Sequence, residues 1–198
     1  MRALVVYCHP KEGSFTSAIR DRVVFKLENA GAEVRINDLY QQEFSPALTP
    51  HELECYEDPT RNTQHVEQDV ENLKWCDTLI FVYPTWWYGL PAMLKGWLDR
   101  VMLPEIAFLM PTDDRKNIAR GLSHITRLGV FTTCGASRWL TFVVGAPGKR
   151  TLFRGVGFLC ARPLKKAFAA HYLMDSSTVQ SRTAHLDRVE KTMDRFMS

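Results

Sequence analysis

The chain contains no Gly-x-Gly-x-x-Gly and no Gly-x-x-x-x-Gly-Lys-Ser/Thr run. A Rossmann-type dinucleotide loop and a nucleoside-triphosphate loop are therefore both missing. There is also no Cys-x-x-Cys pair: Cys8, Cys55, Cys76, Cys134 and Cys160 are five in number, an odd count without zinc spacing. That excludes a recognisable metal centre, and cysteines in apolar segments read as reduced small hydrophobes. Cys134 is the exception, since it falls in an expected loop. No apolar run is long enough to span a bilayer. The start, Met1 to Tyr7, is too short for a signal-peptide core and lacks a small-residue cleavage site, so a cytoplasmic protein is expected. Charge is not in excess: 25 Lys/Arg against 22 Asp/Glu leave a net +3. The densest basic groups, Gly148-Lys149-Arg150 and Leu164-Lys165-Lys166, read as solvated surface and not as a nucleic-acid stripe. Repeats, low-complexity stretches and a dividing linker are absent, and residues 1–198 are expected to form a single domain.

The composition, 45% hydrophobic and 24% charged, is that of an ordinary globular chain. Apolar, β-branched runs predict strands at Arg2 to Tyr7, Glu33 to Asn37, Thr78 to Tyr83, His124 to Thr133 and Leu164 to Met174. Between them, helical periodicity predicts helices at Phe15 to Ala30, Gln64 to Trp75, Ala92 to about Val101 and Pro147 to Cys160. Gly31 stops the first of these. A final amphipathic helix is expected from Val179 to Met197. The proline-rich segment Asp38 to Thr63 reads as an excursion with a short helix near His51 to Tyr56, and Leu103 to Ser123 as irregular chain. Five strands alternating with helices predict an α/β fold: a doubly wound parallel sheet in the order 2-1-3-4-5, with helices on both faces.

In such sheets ligands sit beyond the carboxyl ends of the strands, beside the switch point. Three loops converge there. The first, His9-Pro10-Lys11-Glu12-Gly13-Ser14-Phe15-Thr16-Ser17, ends in hydroxyl residues at a helix start. It suits a phosphate, or Ser14 is simply a helix cap. The second, Pro84-Thr85-Trp86-Trp87-Tyr88-Gly89, brings three aromatic rings that either wall a flat ligand or belong to the core. The third, Thr132-Thr133-Cys134-Gly135-Ala136-Ser137, has small residues that let backbone N–H groups approach a ligand, or is an ordinary turn. Phosphate donors, aromatic walls and backbone donors together match a flavin nucleotide.

Beyond these readings, the chain resembles the flavodoxin-like NAD(P)H:quinone oxidoreductases. That group includes mammalian quinone reductase, the potassium-efflux ancillary reductases and the modulator-of-drug-activity proteins. The resemblance rests on His9-Pro10 with Ser14-Phe15, on the long run from Tyr83 through Gly89-Leu90-Pro91 to Asp99-Arg100-Val101, on Glu105-Ile106-Ala107-Phe108, and on Thr132-Thr133-Cys134-Gly135. It implies a homodimer holding FMN or FAD near the interface, with ping-pong two-electron transfer from NAD(P)H to a quinone-like acceptor. By position, it implies that His9, Phe15, Thr16 and Ser17 hold phosphate. Pro84, Thr85, Trp86, Trp87 and Tyr88 would frame the flavin ring, and Thr132, Thr133, Cys134 and Gly135 its polar edge. Trp87, Tyr88 and Phe108 of a second copy would line the substrate pocket. Cys134 stands where the family often has glycine. No catalytic Tyr–His pair aligns after Gly135, where Ser137-Arg138-Trp139 stands and no histidine follows until His171. The alternatives are an azo- or nitroreductase, an electron-transfer flavodoxin, and a regulatory subunit of a partner such as a membrane transporter.

Overall fold

A computed structural model describes residues Met1–Ser198. Strand β1 (Arg2–Tyr7) has no polar alternation and is buried from Ala3 onward, as a strand covered on both faces must be. Its alternate side chains feed two separate cores. Ala3, Val5 and Tyr7 pack with Ile19, Val23 and Leu27 of α1 (Phe15–Asn29) and with Val189, Met193 and Phe196 of the C-terminal helix (Val179–Met197). Leu4 and Val6 face the opposite layer. There they share a core with Leu73 of α3 (Glu67–Trp75) and with Leu94 and Trp97 of α4 (Ala92–Val101).

The sheet is five-stranded and parallel: β2 (Glu33–Asp38), β1, β3 (Thr78–Thr85), β6 (Arg127–Cys134) and β7 (Lys165–His171) lie side by side in that order. Counting only the strands of this sheet, the order is the expected 2-1-3-4-5. The switch point falls where β1 stands between β2 and β3.

Several local expectations needed correction. The short helix α2 (Pro50–Glu54) sits in the excursion and is held by a capping box between Thr49 and Glu52. Arg100 of α4 anchors that excursion, donating to Glu52 at 2.7 Å and to the Ser45 carbonyl at 2.6 Å. The stretch expected to be irregular contains a small antiparallel pair, β4 (Phe108–Leu109) with β5 (Ala119–Arg120). A helix not foreseen, α5 (Arg138–Val143), is capped by Ser137, whose hydroxyl accepts from the Leu140 N–H. The expected helix from Pro147 to Cys160 is broken into α6 (Pro147–Arg150), a π-helical segment (Thr151–Val156) and α7 (Gly157–Leu159). Gly155 and Gly157 weaken it where the period widens. The helix Val179–Met197 is therefore α8.

A candidate flavin cleft at the carboxyl edge of the sheet

Strand β3 continues to Thr85, two residues past its expected end, because Pro84 and Thr85 pair with Thr133 and Cys134 of β6. The chain then turns sharply. Trp87 and Tyr88 both adopt left-handed backbone, with φ of 47° and 62°, and the Gly89 N–H closes the turn on the Trp86 carbonyl at 3.0 Å. Each such residue costs about 1–2 kcal/mol. That strain presents the aromatic rings outward: Trp87 is 96% exposed and Trp86 is also exposed. The core-packing alternative therefore does not hold for these two tryptophans.

The loop walls a cleft of about 680 Å³, a size suited to a small-molecule ligand. His9, Pro84, Thr85, Trp86, Trp87, Tyr88, Thr133, Cys134 and Gly135 line it, so all three expected loops contribute. The N–H groups of Trp87, Tyr88, Gly135 and Ala136 find no acceptor within the protein. Amides left unpaired at a cleft are donors in waiting. The His9 Nδ1 lies 3.0 Å from the Lys11 N–H and 3.1 Å from the Lys11 carbonyl oxygen, so this loop holds the ring through Nδ1 in either tautomer. Burial lowers the His9 pKa, outweighing the Lys11 carbonyl contact that raises it, and favours the neutral ring.

The remaining expected residues stand apart from the cleft lining. Ser14 caps α1, its hydroxyl accepting the Ser17 N–H at 3.1 Å, while the Ser17 hydroxyl donates back to the Ser14 carbonyl at 2.6 Å. The capping alternative thus holds for Ser14. The Phe15 and Thr16 amides have no protein acceptor, as the first turn of a helix leaves them. The Thr16 side chain is buried, and the Phe15 ring packs against His171 and His185, with centroids at 5.2 and 5.9 Å. Thr132 points behind the cleft, its hydroxyl 2.8 Å from that of Thr85. Phe108 lies on β4 against the core of its own chain. Cys134, expected in a loop, is the buried last residue of β6, its sulfur 3.7 Å from the Thr141 hydroxyl.

Ala136 belongs to the third expected loop, and three lining residues were not anticipated: Leu140, Met174 and Asp175. Leu140 belongs to the unforeseen helix α5. Met174 and Asp175 follow β7, whose carboxyl end opens on the same sheet edge, so the topological rule carried a signal for them. Asp175 closes against the glycine loop so tightly that a Cβ on Gly135 would stand 2.9 Å from its carboxylate. The chain after Gly135 brings no Tyr–His pair to the cleft: His171 is buried at the end of β7, and Trp139 is exposed.

A family model described as a flavodoxin-like fold matches residues 1–191. The chain is 35% identical over 108 residues to the uncharacterized NAD(P)H oxidoreductase YcaK of Escherichia coli (strain K12), 54% of this chain and 55% of that protein. It is 31% identical over 127 residues to NAD(P)H dehydrogenase [quinone] 1 of Rattus norvegicus, 56% of this chain and 46% of that one. The chain thus spans about half the length of the curated relatives it matches. In three dimensions it resembles an FMN-dependent NADH-azoreductase from Bacillus anthracis, solved in complex with FMN. The TM-score is 0.76, with 16% identity over 100% of this chain and 99% of the other, a likeness of fold. The family match along nearly the whole chain agrees with the parallel sheet and its switch point, and the chain belongs to the flavodoxin-like fold family.

Proposed function

We propose that this protein is a flavin-dependent NAD(P)H oxidoreductase that delivers two electrons to quinones or related electrophiles in a ping-pong cycle. The observation that carries the reading is the cleft itself: unpaired amides from two loops face a space walled by tryptophans that the fold holds outward at a cost. This donor set fits FMN or FAD. Bound there, a flavin would supply the chemistry of accepting and passing on a hydride.

The chain's own residues would bind and orient. The Phe15 and Thr16 amides, with the positive end of α1 and the His9 ring, would hold phosphate. Trp86, Trp87 and Tyr88 would cover the ring system, and the Gly135 and Ala136 amides would donate to its polar edge, where negative charge develops on reduction. Ser14 and Ser17 would serve by fixing the helix start, and Thr132 by holding Thr85 in place. Cys134 would narrow the floor of the cleft. In a homodimer, Phe108 of a second copy would complete the substrate pocket beside Trp87 and Tyr88. The named activities of the rat and E. coli relatives support this assignment, and the azoreductase neighbour widens the range of acceptors to consider.

The test is spectroscopic. The purified protein should be yellow, bleach anaerobically with NADH or NADPH, and recover its colour on addition of benzoquinone. Chromatography of the released cofactor then identifies FMN or FAD. A colourless protein that neither flavin reconstitutes would overturn the reading in favour of a binding or regulatory role.

A further inference from the structure

Asp175 reaches the cleft through a turn that the chain adopts at a cost. Strand β7 ends at His171, and at Leu173 the backbone becomes left-handed, with φ of 56°. That conformation is unfavourable for a leucine, and the Leu173 side chain is exposed, so burial does not offset it. A backbone link to the third loop holds it in place: the Leu173 N–H donates to the Ala136 carbonyl at 3.2 Å. Met174–Ser176 then form a single 3-10 turn, closed by the Ser176 N–H on the Leu173 carbonyl at 3.2 Å. This turn sets the Asp175 carboxylate against Gly135, where only the lack of a Cβ leaves room for it.

Nothing else in the fold uses that carboxylate. It takes part in none of the ion pairs of the chain. Nearby donors are engaged elsewhere: the Ser176 hydroxyl donates to the Leu173 carbonyl at 3.2 Å, and Arg182 donates to the Ser177 hydroxyl at 2.9 Å. It does not cap α8, whose N-cap is Thr178. It is the one acidic residue lining the cleft, and no Lys or Arg lines it. A carboxylate that a strained turn delivers to a cleft, without a partner in its own chain, acts on what the cleft holds.

We propose that Asp175 sets the reduction potential of the bound cofactor, keeping it below the value the same site would give without that charge. The inference rests on the proposed function, in which the Gly135 and Ala136 amides donate to the polar edge of a flavin ring; Asp175 then stands beside that edge. A hydride from NAD(P)H carries two electrons and one proton, leaving NAD(P)+ and one added negative charge at the acceptor until solvent supplies a second proton. The two amides favour that charge. A carboxylate next to them opposes it, by a repulsion that a partly dry cleft transmits better than water does. The site can thus bind through N–H groups and still keep its cofactor a strong electron donor. A lower potential extends the range of acceptors to those harder to reduce than quinones.

Equilibration with reference dyes measures the potential of the bound flavin without any dependence on turnover. At a fixed ambient potential near the wild-type midpoint, Asp175→Asn should raise the ratio of reduced to oxidised flavin about tenfold, a shift of about 30 mV for a two-electron couple. Asp175→Glu keeps the charge and should stay near the wild-type midpoint. The difference between wild type and Asp175→Asn should shrink in ~1 M salt, because the carboxylate is exposed and salt screens it. Equal midpoints in wild type and Asp175→Asn would overturn the proposal, as would a lower midpoint in the variant. A fall in melting temperature with the midpoint unmoved would assign the carboxylate to the fold. Dissociation of a dimer with the midpoint unmoved would assign it to contact with a second copy, and either result overturns the proposal. A wild-type protein that holds neither flavin defeats the functional reading and this inference with it; a yellow wild type whose midpoint ignores Asp175→Asn defeats the inference alone.

Discussion

The Thr16 hydroxyl lies 3.3 Å from the Thr133 hydroxyl, both buried, across 117 residues of sequence. This contact ties the first turn of α1 to the end of β6. It sets the proposed phosphate-binding amides and the proposed ring-edge loop in one fixed relation.

Replacing Thr133 with valine keeps the volume and removes the partner, leaving a buried hydroxyl on Thr16 unpaired. The expected cost is about 1–2 kcal/mol in urea denaturation, together with weaker flavin binding in a fluorescence titration. A variant with wild-type stability and affinity would show that the two loops are positioned independently.

Trp87 has almost no burial to lose and a left-handed backbone to relieve. Trp87→Gly should therefore leave the protein as stable or raise stability by about 1 kcal/mol, while flavin retention or turnover falls. Calorimetry and cofactor content separate the two effects. A parallel loss of stability would mean the ring packs against the protein after all.

Acid sensitivity is expected from the buried histidine pair. His171 and His185 stack edge to face at 5.2 Å, and the His171 Nδ1 and His185 Nε2 have no partner. Burial, then the neighbouring His171 and Arg188, push His185 from 6.5 down to about 4; burial likewise lowers His171. Both rings are neutral in the fold and take up protons more readily when unfolded. The associated stability is fully present above pH ~6.5 and is lost as pH falls toward 4, by on the order of 3 kcal/mol for His185. In His185→Phe the pH dependence of the urea midpoint over that range should flatten; an unchanged slope would remove this histidine as its source.

Two glycines should respond in opposite directions. At Gly96 a Cβ would stand 2.2 Å from the Pro46 carbonyl oxygen and 2.4 Å from its Cα. Backbone cannot step aside, so Gly96→Ala should cost about 3 kcal/mol or more and loosen the excursion from α4. Gly155, in the π-helical segment, has open space around its missing Cβ. Gly155→Ala should be stabilising by about 0.5–1 kcal/mol. Thermal denaturation of the pair decides both.

Strand identity and sheet order were legible in the chain because a parallel strand buried on both faces must be a near-continuous apolar run. Val5, Ile80 and Val130 announce themselves that way. The clustering of His9, the Trp86-Trp87-Tyr88 run and Gly135 followed from topology, since the carboxyl ends of β1, β3 and β6 share one edge. Other features depended on tertiary structure. Helix α5 is too short for periodicity to register, and its place beside the cleft, through Leu140, comes from the path of the chain after β6. Asp175 enters the cleft because the end of β7 folds against Gly135, a contact between residues 40 apart that no local pattern encodes. By itself, the sequence determined which segments pair and which loops converge, because burial and chain connectivity are written locally. Only the folded structure decided which side chains of those loops face the cleft and which are spent on capping and packing, because that depends on the direction of each side chain in space.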